Sequence, residues 1–123
     1  MNFPAHKGAE GERIAKEYLE GIGLTFVTAN WKCKVGEIDL IFTDGDVRVL
    51  VEVRTRSKTT FGNGDETVFI QKQKKLIRAA KYYQQKENYW GDIRFDVVSI
   101  ILDAGITPTI THIPDAFDTG SAW

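Results

Sequence analysis

The chain has 123 residues with 16 Lys and Arg against 17 Asp and Glu, so no overall positive field draws in nucleic acid and any polyanion site must be a local patch. Its 42% hydrophobic and 27% charged residues exclude intrinsic disorder, and its length suits a single domain over residues 1–123. Cys33 is the only cysteine, which excludes an internal disulfide or a Cys-rich zinc site and fits a buried structural thiol in a reducing compartment.

The opening stretch "MNFPAHKGAEGERIAKEYLE" lacks the apolar core of a secretory signal, and no apolar run approaches the roughly 18 residues that span a bilayer. A cytoplasmic address without a membrane partner is expected. Ile14, Ala15, Tyr18, Leu19 and Ile22 recur at helical spacing before Gly21 and Gly23, which predicts a helix over about 8–22 with Glu10 and Glu12 near its positive end. "TFVTANW" (25–31) reads as a strand, and "KCKVG" as a basic connection.

"EIDLIFT" and "VRVLVEVRT" are period-two runs joined at Asp44-Gly45, which predicts a hairpin. "RSKTTFGNGDE" (56–66) reads as a mobile loop. Phe69, Gln73, Leu76, Ile77, Ala80 and Tyr83 then line one face of a helix over about 68–87, with Lys74, Arg78 and Lys81 opposite. "IRFDVVSIIL" (93–102) is a further strand, and Asp103, Ala104 and Gly105 turn it into a weaker one at "TPTITHI". Helix, three strands, helix and two strands form an α/β sandwich with a mixed sheet.

The hairpin carries the chemistry. A two-residue turn at Asp44-Gly45 sets Glu37 opposite Glu52 and makes Asp39 and Glu52 diagonal neighbours, about 7 to 8 Å apart or less and within reach of one cation. Ile38, Leu40, Phe42, Val47, Val49, Val51 and Val53 fall on the other face, so one face is core and the other polar at one end. Surface pairing of the acids with Arg48 and Arg54 is one reading, worth about 0 to 1 kcal/mol per pair. A hard divalent cation such as Mg²⁺ is the other, because convergent carboxylates supply the oxygen ligands it takes.

Asp39, Glu52, Val53 and Arg54 resemble the PD-(D/E)XK motif of the restriction-endonuclease-like nucleases. Set within "GEIDLI", "VEVRTR" and "RFDVV", with "GE" at 11–12, they resemble the bacterial YraN-like uncharacterised family over about residues 8–117. The resemblance implies a restriction-endonuclease-like αβββαβ core, similar to archaeal Holliday junction resolvases. It further implies Mg²⁺ or Mn²⁺ held by Asp39, Glu52, the Val53 carbonyl and Glu12, the acid that such resolvases contribute from the first helix. A solvated Glu12 is the plainer alternative. Glu37 is either a third ligand or, as the reading favoured here, a partner for Arg54 or Arg56. Asp96, alternating with Arg94, reads as structural, and neither His6 nor His112 is assigned a role.

Arg54 stands where the motif has lysine. Arginine stays protonated and cannot take a proton from water, although it can stabilise a phosphate. Lys72 resembles a lysine that family members carry on the second helix, to which the active lysine of the superfamily can migrate; otherwise it is a lysine whose stem covers apolar surface. The candidate catalytic residues are therefore Asp39, Glu52, Arg54 and Lys72. Arg54, Arg56, Lys58, Lys75 and Arg78 flank the site as the phosphate-binding candidates. The expected partners are nucleic acid, DNA first, and a second copy of the chain in a homodimer. A structure-selective or non-specific metal-dependent endonuclease is the leading functional reading. A non-catalytic nucleic-acid-binding or partner-binding domain with the nuclease fold is the alternative.

Overall fold

The computed structural model describes residues 3–58 and 65–118. The elements are α1 (Phe3–Gly21), β1 (Thr25–Cys33), β2 (Gly36–Asp44), β3 (Val47–Arg56), α2 (Asp65–Glu87), β4 (Ile93–Ile101) and β5 (Thr109–Phe117). They occur in the order the sequence predicts. The strands form one sheet in the order β1-β2-β3-β4-β5. β3 and β4 run parallel, joined through α2, and the other neighbouring pairs are antiparallel.

Alternation along the strands gives the sheet two apolar faces. Ala15 and Leu19 of α1 pack on Leu40, Phe42, Val49, Val51, Val98 and Ile100. Leu76, Ile77, Ala80 and Tyr83 of α2 pack on Ile41, Leu50 and Phe95 from the other side. Each such Val, Leu, Ile or Phe side chain, when fully buried, contributes about 1.5–3 kcal/mol of transfer free energy. This five-stranded mixed sheet between two helices is compatible with a restriction-endonuclease-like core. Among the described residues, no helix is long and apolar enough to cross a membrane.

Several expectations change. α1 begins at Phe3, so Glu10 and Glu12 lie well inside the helix, beyond the first turn where the dipole acts. Glu10 instead accepts two hydrogen bonds from Arg13, at 3.1 and 2.6 Å. Gly23, at φ +106°, closes the helix: its N–H donates to the Glu20 carbonyl while Leu24 N–H donates to that of Leu19, a Schellman motif. Ile22 falls outside the apolar stripe and is 50% exposed. β1 continues through Lys32 and Cys33, beyond the strand end expected at Trp31, and Cys33 is half-buried rather than buried.

The β2–β3 turn is Gly45-Asp46, not Asp44-Gly45, because Asp44 pairs with Val47. Gly45 takes φ +62° at the first turn position, which is where a type II′ turn requires glycine; a turn at Asp44-Gly45 would have put Asp44 there. The register moves by two residues, and the ladder ends with Leu40 opposite Val51. One step further, Asp39 is level with Glu52 instead of diagonal to it. The hairpin is also not polar on one face: Ile38 joins the α2-side cluster with Ile41 and Leu50, so the alternation breaks between Ile38 and Leu40. Residues 59–64, most of the expected 56–66 loop, and the side chain of His6 lie outside the described residues.

Candidate metal centre and its basic surround

Four elements bring the acids together at the end of the sheet away from the β2–β3 turn. α1 rides directly on β3 at Gly11, where an added Cβ would overlap the Thr55 hydroxyl. The next residue of α1, Glu12, reaches the acids of β2. One carboxylate oxygen each from Glu12, Glu37 and Asp39 lie within 4.8 Å of one another. From β1, Asn30 Nδ2 donates to Glu12 Oε1 at 3.1 Å and to Glu37 Oε2 at 3.0 Å. Glu37 is thus placed beside Glu12 and Asp39, the arrangement of the third-ligand alternative.

Asp39 sits at the centre, its Oδ2 accepting the Val53 N–H at 2.8 Å. Across an antiparallel pair, a residue's N–H and C=O face the same neighbour. The Val53 carbonyl, expected as a ligand, therefore also lies on the β2 side. Glu52 is outside the trio of mutually close oxygens; it is buried, 8% exposed, and its Oε2 lies 3.5 Å from Lys72 Nζ.

Burial pushes the Asp39 carboxyl up to about 7, and the charges of Glu52, Glu12 and Glu37 add to the rise against the opposing Val53 N–H. Burial also raises Glu52, with Lys72 and Arg54 acting against it. Glu12 is raised by burial first, against the Asn30 hydrogen bond, with Glu37 adding repulsion. Hard oxygen donors under mutual repulsion, half-exposed on one side, fit a divalent cation of the Mg²⁺ type, which takes a few carboxylates and completes its shell with water and phosphate oxygens.

The model of an uncharacterised protein family, UPF0102, matches residues 11–100 of this chain. That stretch holds all four acids, Asn30 and Lys72. The chain belongs to this family. It is 39% identical over 111 residues to a UPF0102 protein of Rhodococcus opacus, covering 89% of this chain and 94% of the relative. A UPF0102 protein of Pseudomonas putida strain F1 is 44% identical over 99 residues, 79% of this chain and 80% of the relative. One of Pseudomonas syringae pv. syringae is 40% identical over 114 residues, 91% and 93% of the two chains.

In this UPF0102 chain the basic residues border the acids unevenly. Arg54 lays its guanidinium over the Phe69 ring at 4.5 Å. Lys72, Lys75 and Arg78 follow one another at three-residue steps on the exposed side of α2. Arg56 ends β3 and Lys58 is exposed beyond it, its N–H donating to Asp103 Oδ2 at 3.2 Å. Arg48 is remote from the acids: it donates to the Tyr83 hydroxyl and stacks over Tyr89, 4.3 Å from the ring centroid.

Two contributors escape a reading of the sequence. Asn30 carried a signal, since asparagine is depleted in strands and this one interrupts a β-branched and aromatic run. Gly11 carried one only as the "G" of "GE". Asp96, read as structural, is fully buried and held by Arg94 Nε and Nη2 at 2.8 and 3.0 Å, His112 Nε2 at 2.8 Å and the Asp115 N–H at 3.0 Å. His112 thereby gains a structural partner that its isolation in the sequence did not suggest.

Proposed function

We propose that this UPF0102 chain is a metal-dependent endonuclease that hydrolyses phosphodiester bonds in DNA, selecting strand structure or acting without sequence preference. The observation that carries this reading is the oxygen cluster of Glu12, Glu37 and Asp39, with the buried Glu52 and its Lys72 partner beside it, at the foot of the basic face of α2. Glu12, Glu37 and Asp39 would hold Mg²⁺ or Mn²⁺, with Glu52 adjoining. Such an ion, when bound, polarises a phosphoryl oxygen and lowers the pKa of a coordinated water.

The chain's own residues supply the rest. Lys75 and Arg78 engage backbone phosphates without reading bases. Arg54, fixed over Phe69 and always charged, holds a phosphate oxygen but does not exchange a proton. Lys72, its Nζ 3.5 Å from Glu52 Oε2, is the lysine that would fill the role the motif gives to position 54. Arg54 at the motif's lysine position favours a second reading, a non-catalytic nucleic-acid-binding domain.

Cleavage assays on junction, flap and single-stranded DNA and on RNA, with Mg²⁺, Mn²⁺ or EDTA, separate the two. The expected result is metal-dependent cleavage that Lys72→Ala removes while DNA binding persists, with Arg54→Lys changing little. A rise with Arg54→Lys, at about 1.4 kcal/mol of barrier per tenfold, together with a mild Lys72→Ala, would return the motif lysine's role to position 54. No cleavage above an Asp39→Asn, Glu52→Gln control, in the original chain or in Arg54→Lys, would defeat the nuclease reading.

A further inference from the structure

Asn30 has φ +52°, a left-handed conformation uncommon for any residue but glycine, yet its neighbours stay in the ladder, Ala29 opposite Leu40 and Trp31 opposite Ile38. Asparagine tolerates this region better than most residues, but the conformation persists only where the surroundings hold it. The carboxamide provides that hold. The two N–H bonds of Nδ2 reach Glu12 Oε1 on α1 and Glu37 Oε2 on β2, at 3.1 and 3.0 Å. Only the NH₂ end of the side chain can donate to two carboxylate oxygens at once.

Left alone, the two glutamates would repel each other and separate. A neutral donor between them draws them together without cancelling the negative charge that attracts a cation. Each carboxylate also has a second oxygen that Asn30 does not engage. We infer that Asn30 is a positioning residue, whose carboxamide holds Glu12 and Glu37 in the arrangement that a divalent cation requires. The inference rests on the metal reading above and adds to it a residue that need not touch the ion. Partners of this kind orient ligands, and losing one typically weakens metal binding by about 10- to 100-fold.

Calorimetric titration of the full chain with Mn²⁺ tests it, using Asn30→Gly, Asn30→Ala and the original protein. Glycine accepts the positive φ and removes the amide, whereas alanine removes the amide and strains the backbone. The expected result is an Asn30→Gly protein that melts, metal-free, close to the original but binds Mn²⁺ about 10- to 100-fold more weakly. Asn30→Ala should lower both melting temperature and affinity. If Asn30→Gly binds Mn²⁺ as tightly as the original, the residue serves only the backbone, and the inference falls while the metal reading stands. If the original protein binds no Mn²⁺, both fall.

Discussion

Asp39 and Asp96 are two aspartates withdrawn from water in the same sheet, and their surroundings are opposite in sign. Asp96, on β4, is met by the fork of Arg94, the His112 ring and the Asp115 N–H. Burial alone would raise its pKa, but these hydrogen bonds outweigh it and hold the carboxyl below the usual range. Asp39 has one N–H, from Val53, and three carboxylates around it, and it is pushed up to about 7. An acid supplied with cations by its own chain is a structural tie. An acid set among other acids gains most from an added cation, which the proposed metal would supply, and this makes the contrast a guide to function.

The largest expected effect follows from removing each acid. Asp96→Ala takes the buried acceptor from Arg94 Nε and Nη2 and from the Asp115 N–H, leaving Arg94 its Nη1 bond to Asp44 at 2.9 Å. With that partner kept, the cost falls below the roughly 3–5 kcal/mol of a fully broken buried pair but stays destabilising. Asp39→Asn should have the opposite sign in metal-free protein near pH 7, raising stability, because it removes a repelled charge while leaving an acceptor for the Val53 N–H. Urea unfolding of both variants with EDTA measures the difference. Destabilisation of similar size at both positions would erase the distinction.

Metal should then reverse the order at Asp39. Mn²⁺ bound to the folded state alone would stabilise it by about 2.7 kcal/mol at a hundredfold excess over Kd. Thermal melts should show that increase in the original protein and in a folded conservative variant at the other acid, Asp96→Asn. Asp39→Asn should lack it. An equal shift in Asp39→Asn would move the cation elsewhere.

Acidity distinguishes the two acids more finely. A folded-state pKa raised to about 7 means that folded Asp39 binds a proton the unfolded chain has released, so its contribution to stability grows as pH falls from about 7 towards 4. Asp96 works the other way: its depressed pKa contributes stability above the ordinary aspartate range, and this is lost as pH falls through the folded-state value. In metal-free protein, Asp39→Asn should abolish the gain between pH 7 and 4. A variant that keeps the gain would show that it arises at Glu52 or Glu12.

The two acids were unequally legible in the sequence. Period-two patterning and the "DG" pair gave the hairpin and put Asp39 near Glu52, but where the positive φ falls decides between two turns, and that choice shifted the register by two. The Arg94–Asp96 alternation announced a structural pair. Its completion was hidden, because His112 and Asp115 arrive through an irregularity in the β4–β5 pairing, with Asp115 at φ +51°, that no periodicity encodes. Pro4 hinted that α1 starts early, since proline suits a first helical turn. The close approach of Gly11 to Thr55 joins residues 44 positions apart, beyond any local pattern.

The smallest effect concerns the basic surround, which borders Asp39 and its neighbours. α2 rises about 1.5 Å per residue, so Lys86, near its end, stands roughly 21 Å along the axis from Lys72, too far to share phosphates that a DNA backbone would place near Glu52. If DNA lies across the acidic end, Lys75→Ala with Arg78→Ala should reduce the slope of log affinity against log salt by about one for each phosphate left unneutralised. Lys86→Ala should leave that slope unchanged. The variants differ by one or two surface charges and share a fold, so mobility-shift titrations across a salt series read the position of the DNA rather than stability. An equal reduction from Lys86→Ala would mean a diffuse attraction along the helix, and an unchanged slope in the double variant would take DNA away from this face.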